Sequence, residues 1–437
     1  MVSARGIGRK RKLLLGIGYF VQGLRCFPWM GVNFFLKDGM RVAPATLQIL
    51  QNSANLPMVA KPLYGILSDS FYVFGEHRIP YIAFGAFLQA ISWMAIAIFA
   101  ASDISFASVT FYLLLGNLGA SIVEVANDAI VAETAKQPTS SSKKTKSSSS
   151  GGLQSFVWMA SSIGGVLGNL IGGILIDRFS PRMMFLIYGI LLSFQFLIIG
   201  LIRETTLALP TSSSLGFRKQ LSELFAALKK PDLLYAIIWF AFSYAVIPAL
   251  TGTMFFYQTL HLKIESSLLG ISKVVGQAAM LLWGAIYNRH LKSISSRKLI
   301  VAVQGTMIVF MLSDYLFVKG FYQNLGISNS LYVIAFSGLL EVLYFFKILP
   351  FSVLMAQLCP PGCEASIMAF VMSAIALAFI VSGYLGVALA SYFRVSGDDF
   401  SGLPGALLVQ AACTLVPIFW ASCVPDDVKA KGKSKEN

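Results

Sequence analysis

Gly65-Ile66-Leu67-Ser68-Asp69, followed by Gly75, Arg78 and Gly85, has a fainter second copy in Gly284, Asn288, Arg297 and Gly305. Phe34-Phe35 and Leu47 find similar counterparts in Phe255-Phe256 and Leu268. All of these pairs share an offset of about 220, close to half of the 437 residues. They also fall at equivalent places in each half: the end of its first helix, and the turn between its second and third. Single matches between apolar segments arise readily by chance. A shared offset that coincides with the chain midpoint does not. The chain therefore reads as two similar halves of six helices each.

Composition says what surrounds those helices. The chain is 56% hydrophobic and 12% charged, whereas soluble domains carry about 25% charged residues. Apolar runs of about 20 residues match the hydrocarbon thickness of a bilayer. The expected class is an all-α membrane protein of about twelve transmembrane helices. They are expected near 13–36, 45–67, 79–100, 106–133, 152–176, 182–202, 232–257, 266–288, 298–318, 329–357, 364–391 and 403–424. The expected organisation is a basic N-terminus (1–12), a first six-helix half (13–202), a central linker (203–231), a second half (232–424) and a tail (425–437). The second span is the least apolar. It holds Gln48, Gln51, Asn52, Asn55 and Lys61, and Pro57 and Pro62 interrupt it. Such a span must face protein or a water-filled cavity.

The net charge of +14 does not imply nucleic acid as a partner, because the cations sit in short segments between apolar runs. With the N-terminus inside, inner segments hold 23 of the 34 Lys and Arg, outer segments seven, and the spans four. That bias expects both termini on the cytosolic side, without singling out one membrane. No cleavable signal is expected, since Arg9-Lys10-Arg11-Lys12 runs directly into the first span. Residues 138–150, mostly Ser and Lys, are expected to be disordered. Residues 217–230, with Leu221, Leu224, Phe225 and Leu228 on one side, are expected to lie along the membrane surface. Five cysteines form no disulfide framework. Cys359 and Cys363 flank a Pro-Pro-Gly turn with no third ligand nearby, so neither a metal nor another cofactor is implied. A monomer is expected.

Charges inside spans mark function, because each costs at least about 2.5–3.5 kcal/mol unless it faces a cavity or counter-ion. The cations are Arg25, Lys61, Lys273 and Lys347, and the available acids are Glu124, Asp128 and Glu341. Gln22, Arg25 and Trp29 share a helix face and offer an amide, a charge fork and an aromatic plane. Tyr344 follows Glu341 by one turn. A flat anionic heterocycle would suit such surroundings. The candidate substrate contacts are Arg25, Gln22, Trp29, Lys61, Lys273, Lys347 and Tyr344. Glu124 and Asp128 share a face, where two carboxylates compete for ionisation. Together with Glu341 they are candidates for proton coupling. The competing reading pairs these seven ions as structural salt bridges. Gly164, Gly168 and Gly172 form a small-residue stripe for helix packing.

Six plus six helices with a central linker is the layout of major facilitator transporters, whose halves rock around a midplane site. Gly65 to Asp69, with Gly75 and Arg78, resembles their signature between the second and third helices. In that reading Gly65 permits close helix approach, while Asp69 and Arg78 form a gate contact in one state and release it in another. Further blocks are more specific. They are Gly18-Tyr19-Phe20-Val21-Gln22-Gly23, Phe34-Phe35-Leu36-Lys37-Asp38, Val59-Ala60-Lys61-Pro62-Leu63-Tyr64-Gly65, Gly75-Glu76-His77-Arg78-Ile79-Pro80-Tyr81 and Asn127-Asp128-Ala129-Ile130-Val131-Ala132-Glu133. In order and spacing they resemble the folate–biopterin transporter family, in its plant branch. The resemblance implies a major facilitator fold, transport of folates or pteridines with protons, and functional positions in the Lys61-Pro62 and Asn127-Asp128 blocks. His77-Arg78 departs from the two adjacent basic residues of many members. A site for folate, a pterin with a two-carboxylate tail, needs stacking surfaces, hydrogen-bond partners and one or two cations. An enzyme is not expected, because His77, His261 and His290 lie at loop edges and form no cluster. A channel would show a filter loop or a ring of like residues. Transport of another organic anion remains the alternative.

Overall fold

The structure is a computed structural model, and it describes residues 4–99, 104–136, 146–207, 222, 225–226, 229–291, 293–358 and 364–425. Residues 138–145, most of the amphipathic segment 217–230, Cys359, Cys363 and the tail beyond 425 lie outside these residues. All twelve apolar stretches contain helix. Among the described residues, eight helices are long and apolar enough to cross a membrane. Three further spans are broken, and the last, Leu403–Phe419, is shorter.

The first span divides into α1 (Ala4–Leu24) and α2 (Cys26–Phe34). Pro28 cannot donate back to the Leu24 carbonyl, so the ladder fails at Arg25. The second divides into α3 (Pro44–Ala54), a 3₁₀ segment (Leu56–Ala60) and α4 (Lys61–Ser70), broken where Pro57 and Pro62 lie. Then come α5 (Ile79–Ile98), α6 (Phe106–Lys136), α7 (Lys146–Ile176), α8 (Pro181–Gly200) and the short α9 (Glu204–Leu207). Because α7 begins at Lys146, residues 146–150 are helical rather than disordered as expected. The seventh span is α10 (Pro231–Ala245) and α11 (Thr251–Phe256), with a non-helical Val246–Leu250 around Pro248. α12 (Ser266–Ile286) and α13 (Ser296–Val318) follow. α14 (Gly338–Phe346) and α15 (Ile348–Leu358) meet at Lys347, before α16 (Glu364–Tyr392) and α17 (Leu403–Phe419).

The chain forms two compact units. The first comprises residues 1–35 and 60–222. Within it α1 and α7 touch backbone to backbone. A Cβ at Gly23 would stand 1.9 Å from the Ser161 carbonyl oxygen, and one at Gly164 would stand 2.2 Å from that of Phe20. The small-residue stripe therefore serves packing against the first span. Trp93 of α5 fills the space beside it, meeting Trp29 edge-on at 6.3 Å and packing on Phe185 and Tyr188.

The second unit comprises 223–437 together with 36–59, a piece of the first two spans. Gln48 of α3 fastens that piece. Its amide nitrogen donates to the carbonyls of Ala249 and Gly383 at 2.6 and 2.7 Å, and its oxygen accepts from the Gly252 N–H at 2.8 Å. The polar second span thus spends Gln48 on backbone freed by the break in the seventh. The core of this unit centres on Phe240 and Phe351, stacked at 3.7 Å.

Candidate functional site

The break after α1 places Arg25 opposite α6. Its Nη1 donates to Glu124 Oε1 at 2.7 Å and its Nη2 to Asn117 Oδ1 at 2.8 Å. From the first turn of α4, Lys61 Nζ reaches the other Glu124 oxygen at 2.5 Å. One carboxylate thus holds two cations, and the side chains are only 18%, 20% and 10% exposed for Arg25, Lys61 and Glu124. The cluster of three carries a net positive charge. Trp29 lies one turn along from Arg25, against Trp93.

Asp128, one turn from Glu124, does not share its cations; it accepts a short hydrogen bond from the Tyr19 hydroxyl. The two acids expected to act as a pair therefore have different partners. Two nearby amides lack protein partners for buried atoms: Gln22 at Oε1, and Asn127 at both Oδ1 and Nδ2. Asn127 lies against Gly18, where a Cβ would be 2.7 Å from its Nδ2.

The second unit separates its candidates. Lys273 Nζ pairs with Glu341 at 3.0 and 3.3 Å in a much more exposed setting. Lys347 is completely buried. Its ammonium donates to Gln304 Oε1 at 2.7 Å, Ser243 Oγ at 3.0 Å and the Ser243 carbonyl at 3.4 Å, and lies 3.9 Å from the Tyr244 ring centre. Tyr344 accepts the Tyr244 hydroxyl on its backbone carbonyl at 2.7 Å. Sequence reasoning passed over Asp314, a buried acid in α13 that accepts from the Tyr332 hydroxyl at 3.0 Å. A carboxylate inside an apolar run was the available signal.

At the turn between α4 and α5, Arg78 joins Asp69 to Glu133 of α6. Arg78 Nη2 donates to both carboxylates, to Glu133 at 2.6 Å, and Nη1 donates to the Ser68 hydroxyl. The Asp69–Arg78 contact is therefore closed in this conformation. Gly65 does not provide the close approach expected of it. A Cβ there would meet only Val125, at an ordinary 3.5 Å, so the neighbouring helix leaves room for a methyl group. Sequence reasoning also missed Glu204, because it lies in the linker, far along the chain. Its carboxylate accepts the backbone N–H groups of His77, Arg78 and Ile79, where α5 begins, and meets His77 Nδ1 at 3.0 Å. A carboxylate at a helix N-terminus satisfies donors that the helix cannot. Burial raises the cost of charging Glu204, but the His77 and backbone hydrogen bonds overcome it and hold its pKa down at about 2. Burial likewise disfavours charged His77, yet the carboxylates of Glu133, 3.7 Å from its Nε2, and Glu204, 3.0 Å from its Nδ1, lift it to about 9.

Comparison with known proteins bears on what this arrangement serves. The pattern of the BT1 family matches residues 22–437. A protein of Arabidopsis thaliana named "Probable folate-biopterin transporter 7" is 61% identical over 425 residues, covering 97% of this chain and 95% of its own. Another from the same plant, "Probable folate-biopterin transporter 8, chloroplastic", is 42% identical, over 96% of this chain and 76% of its own. Among solved structures, a D-xylose-proton symporter matches with a TM-score of 0.67 at 16% identity, covering 95% of this chain and 97% of that one. At that identity the likeness is one of fold, and it is the major facilitator fold expected from the repeat.

Proposed function

The chain belongs to the BT1 family, and from that premise we propose that it carries folates or related pteridines across a membrane by alternating access, coupled to protons. Relatives named as folate-biopterin transporters, with a transporter fold, make it a multi-pass membrane transporter and not an enzyme.

The observation that carries the substrate reading is the Arg25–Glu124–Lys61 cluster. Two cations around one acid leave one positive charge uncompensated inside the spans. A substrate carboxylate that replaces Glu124 on Arg25 exchanges one charge-assisted pair for another, so neither cation is stranded. Trp29 supplies a flat surface for the pterin. The unpaired atoms of Gln22 and Asn127 are hydrogen-bonding capacity that this conformation leaves unused. Lys273 and Glu341 are a second, looser pair able to exchange partners. Asp128, hydrogen-bonded to Tyr19 and away from the cations, is the carboxyl suited to taking up a proton. Asp69, Arg78 and Glu133 act in the inner gate, their contact made here and released once per cycle. In this reading both termini face the cytosol, residues 203–231 join two moving six-helix halves, and the working unit is a monomer.

The test is counterflow of labelled folate and pterins in proteoliposomes made with the purified protein. Saturable exchange of at least one pteridine is expected. Transport no faster than in empty liposomes for every pteridine, alongside transport of another organic anion, would overturn the substrate reading.

A further inference from the structure

Lys347 differs from the other cations of the spans. Arg25, Lys61 and Lys273 each meet a carboxylate. Lys347 is the most deeply buried of the four, and among the described residues no carboxylate lies within ion-pair distance of it. The buried acid of the same unit, Asp314, does not reach it. Gln304, which touches Lys347, and Asp314 are ten residues apart on α13, about 15 Å along a helix. The Tyr244 ring of α10 covers the ammonium, and Tyr344 stands one turn back along α14.

The three ammonium hydrogens have three protein acceptors: Gln304 Oε1, Ser243 Oγ and Ser243 O. A side chain whose donors are all engaged, and whose surface is closed, is poorly placed to hold a substrate carboxylate. It is well placed to hold a proton. We propose that Lys347 is a proton-carrying site of the second unit, charged at one stage of the transport cycle and neutral at another. This rests on the proton-coupled reading given above and adds a second group to Asp128.

The surroundings can serve both protonation states. Gln304 Nε2 donates to the Thr414 carbonyl at 2.9 Å, which leaves its oxygen facing Lys347. The Ser243 carbonyl is likewise only an acceptor. Ser243 Oγ is the adaptable partner. It now accepts from Lys347 and donates to the Phe240 carbonyl at 2.7 Å. When Lys347 gives up its proton, one Nζ–H bond breaks, the electron pair stays on nitrogen, and the proton passes to water admitted to the site. The amine keeps two donors, for Gln304 and the Ser243 carbonyl. Its new lone pair accepts from the Ser243 hydroxyl, which turns away from Phe240. Ser243 lies two residues before the end of α10, next to the non-helical Val246–Leu250. Loss of the proton therefore rearranges a hydrogen bond at the edge of the break in the seventh span, which is how occupancy of Nζ can bias a conformational change.

The experiment compares wild type, Lys347→Arg, Lys347→Met and Ser243→Ala in proteoliposomes. Two quantities are read: folate accumulation driven by an imposed proton gradient, and folate counterflow without one. Arg keeps the charge but cannot release a proton at accessible pH. Both Lys347 variants are expected to lower the ratio of driven accumulation to counterflow at least about tenfold. In Ser243→Ala the ammonium loses an acceptor, so the pH midpoint of driven accumulation is expected to move at least about half a unit lower. If Lys347→Arg keeps the wild-type ratio, the role is structural and the inference is overturned. If neither Lys347 variant yields monodisperse protein, an unmoved midpoint in Ser243→Ala overturns it instead. If the gradient has no effect on wild type, proton coupling itself fails, a result separable from either of these.

Discussion

Replacing Arg25 by Lys keeps the charge and removes the fork. In the structure Nη1 serves Glu124 at 2.7 Å while Nη2 serves Asn117 at 2.8 Å. An ammonium is a point charge that cannot reproduce both bonds in one plane. With a substrate carboxylate in place of Glu124, Arg25→Lys forfeits one charge-assisted hydrogen bond, worth about 1.5–3 kcal/mol. That corresponds to about 10- to 150-fold in Kd. The assay is equilibrium binding of labelled folate, and of a pterin lacking the glutamate tail, to detergent-purified monodisperse protein. Folate should weaken by that factor, and the tail-less pterin by less than about threefold. The rival role for Arg25 is a brace between the first span and α6. A brace predicts poor folding of Arg25→Ala, with no recovery when Glu124→Gln is added, since Lys61 still pairs with Glu124 in the single variant and is stranded in the double. Equal losses for folate and the tail-less pterin would refute a carboxylate-specific role.

Three further outcomes follow from the geometry. An inward proton gradient should speed folate uptake in proteoliposomes, and Asp128→Asn, which leaves Tyr19 without its carboxylate partner, should reduce that stimulation; a wild type indifferent to the gradient would end the coupling argument. Asp69→Asn should slow turnover while leaving affinity within about threefold, because Arg78 still holds Glu133 and a gate contact acts on state populations rather than on the site; lost binding with normal exchange would instead put Asp69 in the site. The His77 cluster should make stability depend on pH. His77 is raised from 6.5 to about 9, so its contribution is complete below pH 6.5 and lost as pH rises through about 9. Glu204 is lowered from 4.5 to about 2, so its contribution is complete above pH 4.5 and lost as pH falls through about 2. The thermal midpoint should therefore be level between pH 4.5 and 6.5 and decline toward 9. His77→Gln should abolish that alkaline decline, and a decline of unchanged size would assign it elsewhere.

The spans were legible because a bilayer demands them. A helix that crosses lipid must be long and apolar, and a polar one must find protein or water. Both properties are written locally, so all twelve stretches could be located, and Pro57 and Pro62 marked the break in the second. Gln48 shows where that legibility stops. Its polarity announced that it must be satisfied, but not that its partners would be backbone of the seventh and eleventh spans. Asp314 could have been found by the same rule that picked out Glu341. Glu204 could not, since nothing in a linker sequence says that its carboxylate meets the start of a helix 125 residues earlier.

Composition, the repeat and the motif blocks were enough to establish a two-part helical membrane protein and its family. Which charge meets which was decided only in three dimensions. Arg25 and Lys61 converge on Glu124, Lys273 takes Glu341, and Lys347 takes no acid among the described residues. The reason lies in the solvent. Lipid tails are as apolar as the side chains they touch, so hydrophobic pattern barely distinguishes a face that meets lipid from one that meets another helix. Helix rotation and offset are set by close packing, as where Gly23 and Gly164 let α1 and α7 touch. Those two quantities, which no single span encodes, determine whether a buried cation finds a carboxylate or the neutral oxygens of Ser243 and Gln304.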